Sequence, residues 1–102
     1  MQTKFIDIEL ERLIHTGKSR VYKGLARKPA LIETLITIYT IISNSIDSIE
    51  ELDFYKSVVQ IKREDNGTIL IPIDTSLKIF IVLLLHEEVV EFLPLQISES
   101  HE

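Results

Sequence analysis

The sequence predicts an α+β fold, with helices in the first half of the chain and a sheet in the second half. In the first half, apolar residues recur at every third or fourth position, which is the period of an amphipathic helix. From residue 57 onward, β-branched and other apolar runs alternate with short polar segments, as strands and turns do. Elements grouped in this order pack helices against one face of an antiparallel sheet.

Length and composition predict a single domain over residues 1–102. With 102 residues, 45% of them hydrophobic, the chain can form a core without disulfides or metals. The last five residues, 98–102, are expected to form a tail that can be disordered.

The first helix is predicted over residues 8–16, after a short strand over residues 4–8. Leu10 and Leu13 fall on one face of this helix, and acidic residues fall on the other. Gly17 follows directly, and glycine often ends helices because it adopts positive φ angles without strain.

A second, longer helix is predicted over residues 30–44. Its apolar stripe includes Leu35, Ile38 and Ile42 and is broad, so this helix should be buried on more than one side. Pro29 suits the first helical position, where a missing N–H group costs nothing. The many β-branched residues leave a strand as an alternative, but the length and period of the run favour a helix.

Strands are predicted in the second half of the chain at residues 57–63, 68–73, 77–85 and 89–97. The clearest turn between them is Asn66–Gly67, because both residues tolerate the positive φ angles of a tight hairpin. Pro72 and Pro94 have no N–H group to donate, so they are expected at sheet edges or bulges. Consecutive strands joined by short turns predict an antiparallel meander.

Composition excludes several kinds of site. The chain has no cysteine, and therefore no disulfide, cysteine metal site or thiol nucleophile. No glycine-rich phosphate-binding motif is present, and His86 has no second histidine at helical spacing, so no cofactor and no metal are expected. The longest uncharged apolar run, residues 79–85, is too short to cross a membrane, and the first residues do not resemble a signal peptide. We therefore expect a cytoplasmic protein without a membrane partner.

Charges are unevenly distributed along the chain. The formal net charge is −5, which argues against nonspecific binding of nucleic acid over the whole surface. Residues 18–28, the basic segment, nevertheless contain five basic side chains and no acidic one, whereas residues 86–102 contain five glutamates and no lysine or arginine. The basic segment is either a phosphate-facing patch or an ordinary solvated loop and helix start.

Several short segments, in their order and spacing, resemble the RelE/HigB toxin superfamily of type II toxin–antitoxin systems, in particular its HigB "killer protein" branch. The opening FIDIELERLI is similar to that branch's F-x-D-K-x-x-E-x-L-F, and GKSRVYK followed by ARKPALIETL is similar to its basic linker and next helix. Further on, VQIKREDNGTILIPID is similar to L-x-x-L-K-G-D-R-x-G-Q-Y-S-I-R-I-N, LKIFI to W-R-I-C-F, and VEF to the final V-x-I strand. The similarity covers about 90 residues and rests on order and spacing rather than on a single motif.

This resemblance implies the RelE-like fold, in which helices pack on one face of a curved antiparallel sheet. It also implies a toxin that cleaves messenger RNA on the ribosome without a metal and that is neutralised by an antitoxin protein of the helix-turn-helix type. By the same resemblance, basic side chains hold the phosphate and a C-terminal tyrosine or histidine assists proton transfer. The matching positions here are Lys78 and His101 for catalysis, and Lys62, Arg63, Arg20, Lys23, Arg27 and Lys28 for RNA binding.

Two catalytic positions depart from the family pattern. One arginine of the family falls on Pro72, which carries no charge, and another falls on Lys78, which cannot form a bidentate contact. The acidic end of the chain would also repel RNA. With these departures, the resemblance implies a weak endoribonuclease with ribosome-bound message as its substrate. The alternative is a RelE-like interaction module without catalysis, which binds another protein or forms a homodimer.

Overall fold

The computed structural model describes residues 1–55, 61–64, 67–74, 78–86 and 88–97. Its helical elements are α1 (Ile8–Thr16), α2 (Lys23–Ala26) and α3 (Pro29–Thr40), followed by a π-helical turn (Ile41–Ser45) and a 3₁₀ helix (Ile49–Tyr55). Its strands are β1 (Gln2–Phe5), β2 (Lys62–Arg63), β3 (Thr68–Asp74), β4 (Ile79–His86), β5 (Val89–Phe92) and β6 (Gln96–Ile97). The predicted α+β class is confirmed.

The strands of the described ranges form one open sheet in the order β1-β5-β4-β3-β2, and β6 pairs with the beginning of β4. Neighbours from β2 to β5 are antiparallel, as predicted. β1 instead runs parallel to β5, with Phe5 beside Phe92. The prediction of a wholly antiparallel sheet is therefore wrong at this edge. The chain between β1 and β5 contains the whole helical layer, and a connection of that length allows a parallel return.

One core lies between the helices and one face of the sheet. Ile79, Ile81 and Leu83 alternate along β4 and are buried, because successive residues of a strand point to opposite faces. Leu35 and Ile38 of α3 belong to the same buried cluster. The burial of these aliphatic side chains from both layers is the main force that holds the helices on the sheet.

An aromatic cluster joins β1, α1, α3 and β5 at one end of this core. The Phe5 ring centroid lies 5.4 Å from that of Tyr39 and 5.1 Å from that of Phe92. His15 meets Phe5 and Tyr39 edge-on, with centroid distances of 6.0 and 5.6 Å. Tilted and edge-to-face ring pairs stabilise beyond their buried area. These contacts fix the parallel edge strand against the helices.

Both predicted helices are confirmed, and their ends follow the predicted chemistry. α1 covers residues 8–16, and Gly17 follows it with a φ of 75°. Pro29 is the first residue of α3. α3 and the π-helical turn together reach Ser45, one residue beyond the predicted end of the second helix.

Two strand predictions need correction. β1 ends at Phe5 rather than extending over residues 4–8, because Asp7 already caps α1 by accepting a hydrogen bond from the backbone N–H of Glu9 at 3.0 Å. The strand predicted over residues 89–97 is divided into β5 and β6. Pro94 lies in the break, where its lack of an N–H group does not interrupt a ladder.

The predicted hairpin and bulge are confirmed where the structure describes them. β2 and β3 pair in antiparallel fashion, and Gly67 between them has a φ of 85°. Asn66 and residues 57–60 of the predicted first hairpin strand lie outside the described residues. The register of β3 against β4 shifts between Pro72 and Asp74, so Pro72 adjoins a bulge.

The second face of the sheet carries apolar side chains that lie outside the core cluster beneath the helices. Leu70, Pro72, Phe80, Val82 and Leu84 alternate with the core-facing residues of β3 and β4, and we call this surface the open sheet face. Leu70 is 8% exposed and the other four are half-buried. The core cluster that contains the buried residues of the helices includes none of these five side chains.

Leu83→Ala is expected to lower the free energy of unfolding by about 2–5 kcal/mol, because it leaves a cavity in the core. The matched control is Leu84→Ala, on the open sheet face. It should cost about 1 kcal/mol, because less of the Leu84 side chain is removed from water on folding. Urea denaturation followed by circular dichroism measures both values. Equal losses would contradict the assignment of the two faces.

Candidate functional site

The basic segment lies in the helical layer, between α1 and α3. Its apolar residues Tyr22 and Leu25 are buried in the core, while its basic side chains are exposed. The basic residues are Lys18, Arg20, Lys23, Arg27 and Lys28. Within the described ranges, the ion pairs involve none of these five. The segment therefore presents five unpaired cations to solvent from a backbone that is fixed by its own core contacts.

Glu9 holds the start of the basic segment in place. Its Oε1 accepts hydrogen bonds from the Ser19 hydroxyl and from the Arg20 backbone N–H, both at 2.9 Å. The Ser19 Oγ in turn accepts from the backbone N–H groups of Val21 and Tyr22, at 3.1 and 3.0 Å. We call this arrangement the Glu9 clamp. The hydrogen bonds from the Arg20 backbone and the Ser19 hydroxyl lower the pKa of Glu9 below its usual value.

Tyr22 connects the same segment to the start of α1 and to the chain between β5 and β6. Its hydroxyl donates to Oδ2 of Asp7 at 2.5 Å and accepts from the Leu95 backbone N–H at 3.1 Å. Asp7 is also the cap of α1, so one carboxylate fixes a helix start and the tyrosine. Burial, followed by the hydrogen bond to Asp7, raises the pKa of Tyr22 to about 12.

Lys62 and Arg63 point to opposite faces of the sheet because they are neighbours on β2. Lys62 is paired with Leu70, at the margin of the open sheet face. Arg63 lines a cleft of about 210 Å³ between the 3₁₀ helix and the β2–β3 hairpin, together with Glu50 and Glu64. With Arg63, Glu50 and Glu64 in its lining, this cleft has no excess of positive charge, which disfavours phosphate binding.

Lys78 lies in the turn before β4 rather than inside a strand. The sequence predicts a strand from residue 77, but β4 begins at Ile79. Lys78 is exposed and has a φ of 55°, which is uncommon for a residue other than glycine. Pro72, where the sequence resemblance implies an arginine, lies opposite Phe80 on the open sheet face. His101, the other predicted catalytic residue, lies outside the described residues.

The structure therefore brings together only part of the predicted site. Arg20, Lys23, Arg27 and Lys28 share one segment of the helical layer, as their spacing predicts. Lys62 is on the other side of the sheet, and Lys78 lies at a turn before its central strand. Among the described residues, no continuous basic surface joins these three places, because the open sheet face between Lys62 and Lys78 is apolar.

Sequence reasoning missed the residues that position the basic segment. An acid directly before a helix is a known cap signal, so Asp7 could have been identified. The bonds from Glu9 span 10 and 11 residues, and the bond between Tyr22 and Leu95 spans 73 residues. Local patterns do not predict such contacts, because they depend on how distant elements pack.

Comparisons with protein-family models, curated proteins and solved structures give no match to this chain. Among the described residues, no group of acidic, histidine or cysteine side chains is arranged to hold a metal ion. None of the helices described is long and apolar enough to cross a membrane. A functional proposal therefore rests on the sequence of this chain and on the arrangement of its described residues.

Tyr22 should ionise near pH 12 in the folded protein. The variant Tyr39→Phe/Tyr55→Phe leaves it as the only tyrosine of the chain, so phenolate absorbance reports on it alone. Because its folded pKa lies above the usual 10.0, its stabilising effect is complete below pH 10 and is lost as pH rises toward 12. The difference in free energy of unfolding between wild type and Tyr22→Phe should therefore decrease as pH rises from 10 toward 12. A midpoint near pH 10 while the protein is folded would contradict the hydrogen-bonded, buried hydroxyl.

Removing the Glu9 clamp should loosen the basic segment without unfolding α1. Glu9→Ala is expected to speed limited trypsin cleavage after Lys18 and Arg20, because the two bonds that fix the segment are lost. Glu11→Ala is the matched control, since Glu11 is also an acid of the first turn of α1 but makes no bond to the segment. Mass spectrometry of the early fragments measures both rates. Equal rates for the two variants would mean that Glu9 does not hold the segment.

Proposed function

We propose that this chain is a RelE/HigB-like toxin of a type II toxin–antitoxin system, bound by an antitoxin protein and weak as a ribosome-dependent mRNA endoribonuclease. The proposal begins from the resemblance of short segments along the sequence. Its main support is where those segments lie. FIDIELERLI covers the end of β1 and most of α1, GKSRVYK begins the basic segment, and the last three segments include parts of β2–β3, β4 and β5.

The basic segment is the surface that suits RNA best. Five cations project from one short stretch, and affinity for a phosphate backbone grows with the number of phosphates that are neutralised. The Glu9 clamp and the Tyr22 hydroxyl keep this stretch in one conformation before any ligand arrives. Preorganisation of this kind reduces the ordering cost of binding.

Strong RNA cleavage is not expected from the open sheet face. Cleavage through the 2′-hydroxyl needs a base, an acid, and cations beside the charge that develops on the phosphate. The open sheet face offers Pro72 opposite Phe80 near the start of β4, with Lys78 in the turn just before this strand. Loss of one charge-stabilising donor typically lowers a rate by about a hundred- to a thousandfold.

The second candidate function is a RelE-like protein-interaction module without catalysis. The apolar open sheet face favours it, because contiguous apolar surface is typical of protein-binding sites and not of phosphate sites. Under this hypothesis the basic segment is a solvated surface. The two candidates differ in whether the chain alone affects messenger RNA.

Induced expression of the full chain without a partner protein distinguishes them. The toxin proposal predicts slowed growth and cleaved messenger RNA on the ribosome, with a rate well below that of an efficient endoribonuclease. In purified form, Arg20→Ala should weaken ribosome binding and reduce the slope of log affinity against log salt by about 1, because one phosphate contact is lost. Lys4→Ala on β1 is the matched control and should change neither value.

The variant Pro72→Arg tests the cause of weak cleavage. It places a cation on the open sheet face near the start of β4, next to the register shift between β3 and β4. A faster cleavage with intact folding supports the toxin proposal. Normal growth, intact RNA and no gain in Pro72→Arg would reject it in favour of the interaction module.

A further inference from the structure

The open sheet face is centred on the middle strand of the sheet. β4 is third in the order β1-β5-β4-β3-β2, with two strands on each side. Phe80, Val82 and Leu84 of β4 point to this face, next to Leu70 and Pro72 of β3. An apolar centre with strands on both sides is the arrangement of a surface that packs against another sheet.

Opposite charges lie at the two ends of one row across this face. Pairing places Lys4 beside Glu91, Glu91 beside Leu84, and Leu84 beside Thr68. The row continues to Glu64, whose backbone N–H donates to the Thr68 carbonyl at 2.8 Å. Lys4 and Glu64 are thus the exposed ends of a single row, one on each margin of the sheet.

We propose that the open sheet face binds a second copy of this chain. The two copies are related by a two-fold axis that lies between their sheets and is parallel to β4. This axis lays Val82 and Leu84 over the same residues of the second copy. It exchanges the margins of the sheet, so that Lys4 of each copy faces Glu64 of the other. A two-fold interface must be complementary to itself in this way.

The charges favour a second copy of this chain on the open sheet face over a face that stays exposed to solvent. Within one copy, the ion pair that Glu64 makes among the described residues is with Lys62, at 4.0 Å and with both side chains well exposed. Such a pair is weak, so Glu64 exchanges it readily for a lysine across the interface. Lys4 makes no ion pair within the described ranges. Two pairs between copies would fix the register of the apolar centre.

The size of the face indicates a weak dimer. Five strands at a spacing of about 4.8 Å span roughly 19 Å, and the apolar residues of β4 extend over about 13 Å. A stable interface buries about 800 Å² of each partner, which is considerably more. We therefore expect a weak dimer, with a dissociation constant of roughly 100 μM or higher, so that the chain is mostly monomeric in dilute solution. This inference does not depend on the proposed function.

Sedimentation velocity of the full chain from 5 to 500 μM tests the proposal. A reversible monomer–dimer equilibrium is expected. Val82→Glu should weaken it by at least about a hundredfold, because two carboxylates meet on the axis. Ile36→Glu, at an exposed position of α3, is the control and should dimerise as wild type does. A monomer at every concentration, or a dimer unaffected by Val82→Glu, would overturn the proposal.

A charge exchange keeps the test independent of any folding defect in Val82→Glu. Lys4→Glu and Glu64→Lys should each weaken the dimer several-fold, since each places like charges opposite one another twice. The double variant Lys4→Glu/Glu64→Lys restores opposite charges and should recover most of the wild-type affinity. Single variants without effect, or a double variant that fails to recover, would overturn the two-fold arrangement.

Discussion

The structure depends on the position of β4 between its neighbours. β4 pairs with β3 on one side and with β5 and β6 on the other, so three strands rely on it for their hydrogen bonds. Its alternate residues Ile81 and Leu83 are buried under the helices, and the residues between them are apolar as well. A strand that is apolar on both faces normally lies inside a protein with both faces covered. Here the described helices cover one face, and the other remains as a surface with its own chemistry.

The sequence predicts elements whose signals are local. Gly17 and Pro29 mark helix ends, and the glycine of Asn66–Gly67 lies between two paired strands, because each residue acts through its own backbone angles or its missing N–H group. The parallel pairing of β1 with β5 was not predicted, since it joins residues almost ninety positions apart. The candidate site divides in the same way. The exposed basic segment follows from charge spacing, whereas its attachment through Glu9 and Tyr22 follows only from packing.

Two separate surfaces result, and they suit different partners. The basic segment lies in the helical layer and has a fixed backbone and free cations, which are the properties of a phosphate-binding surface. The open sheet face has an apolar centre and charged margins, which are the properties of a protein-binding surface. A RelE/HigB-like toxin that had lost cleavage strength at Pro72 and Lys78 would retain the first surface. The open sheet face of such a toxin would be apolar where the sequence resemblance implies cations.

The central claim is that, among the described residues, the helices cover one face of β4 within the monomer and leave the other face accessible to solvent. Methyl NMR with a soluble paramagnetic agent tests it directly, because relaxation of each methyl group reports its access to solvent. At 20 μM, the methyl groups of Val82 and Leu84 should relax quickly, while those of Ile81 and Leu83 should be protected. At 500 μM, Val82 and Leu84 should become protected as well. Protection of Val82 and Leu84 already in the dilute monomer would contradict an open face on this sheet.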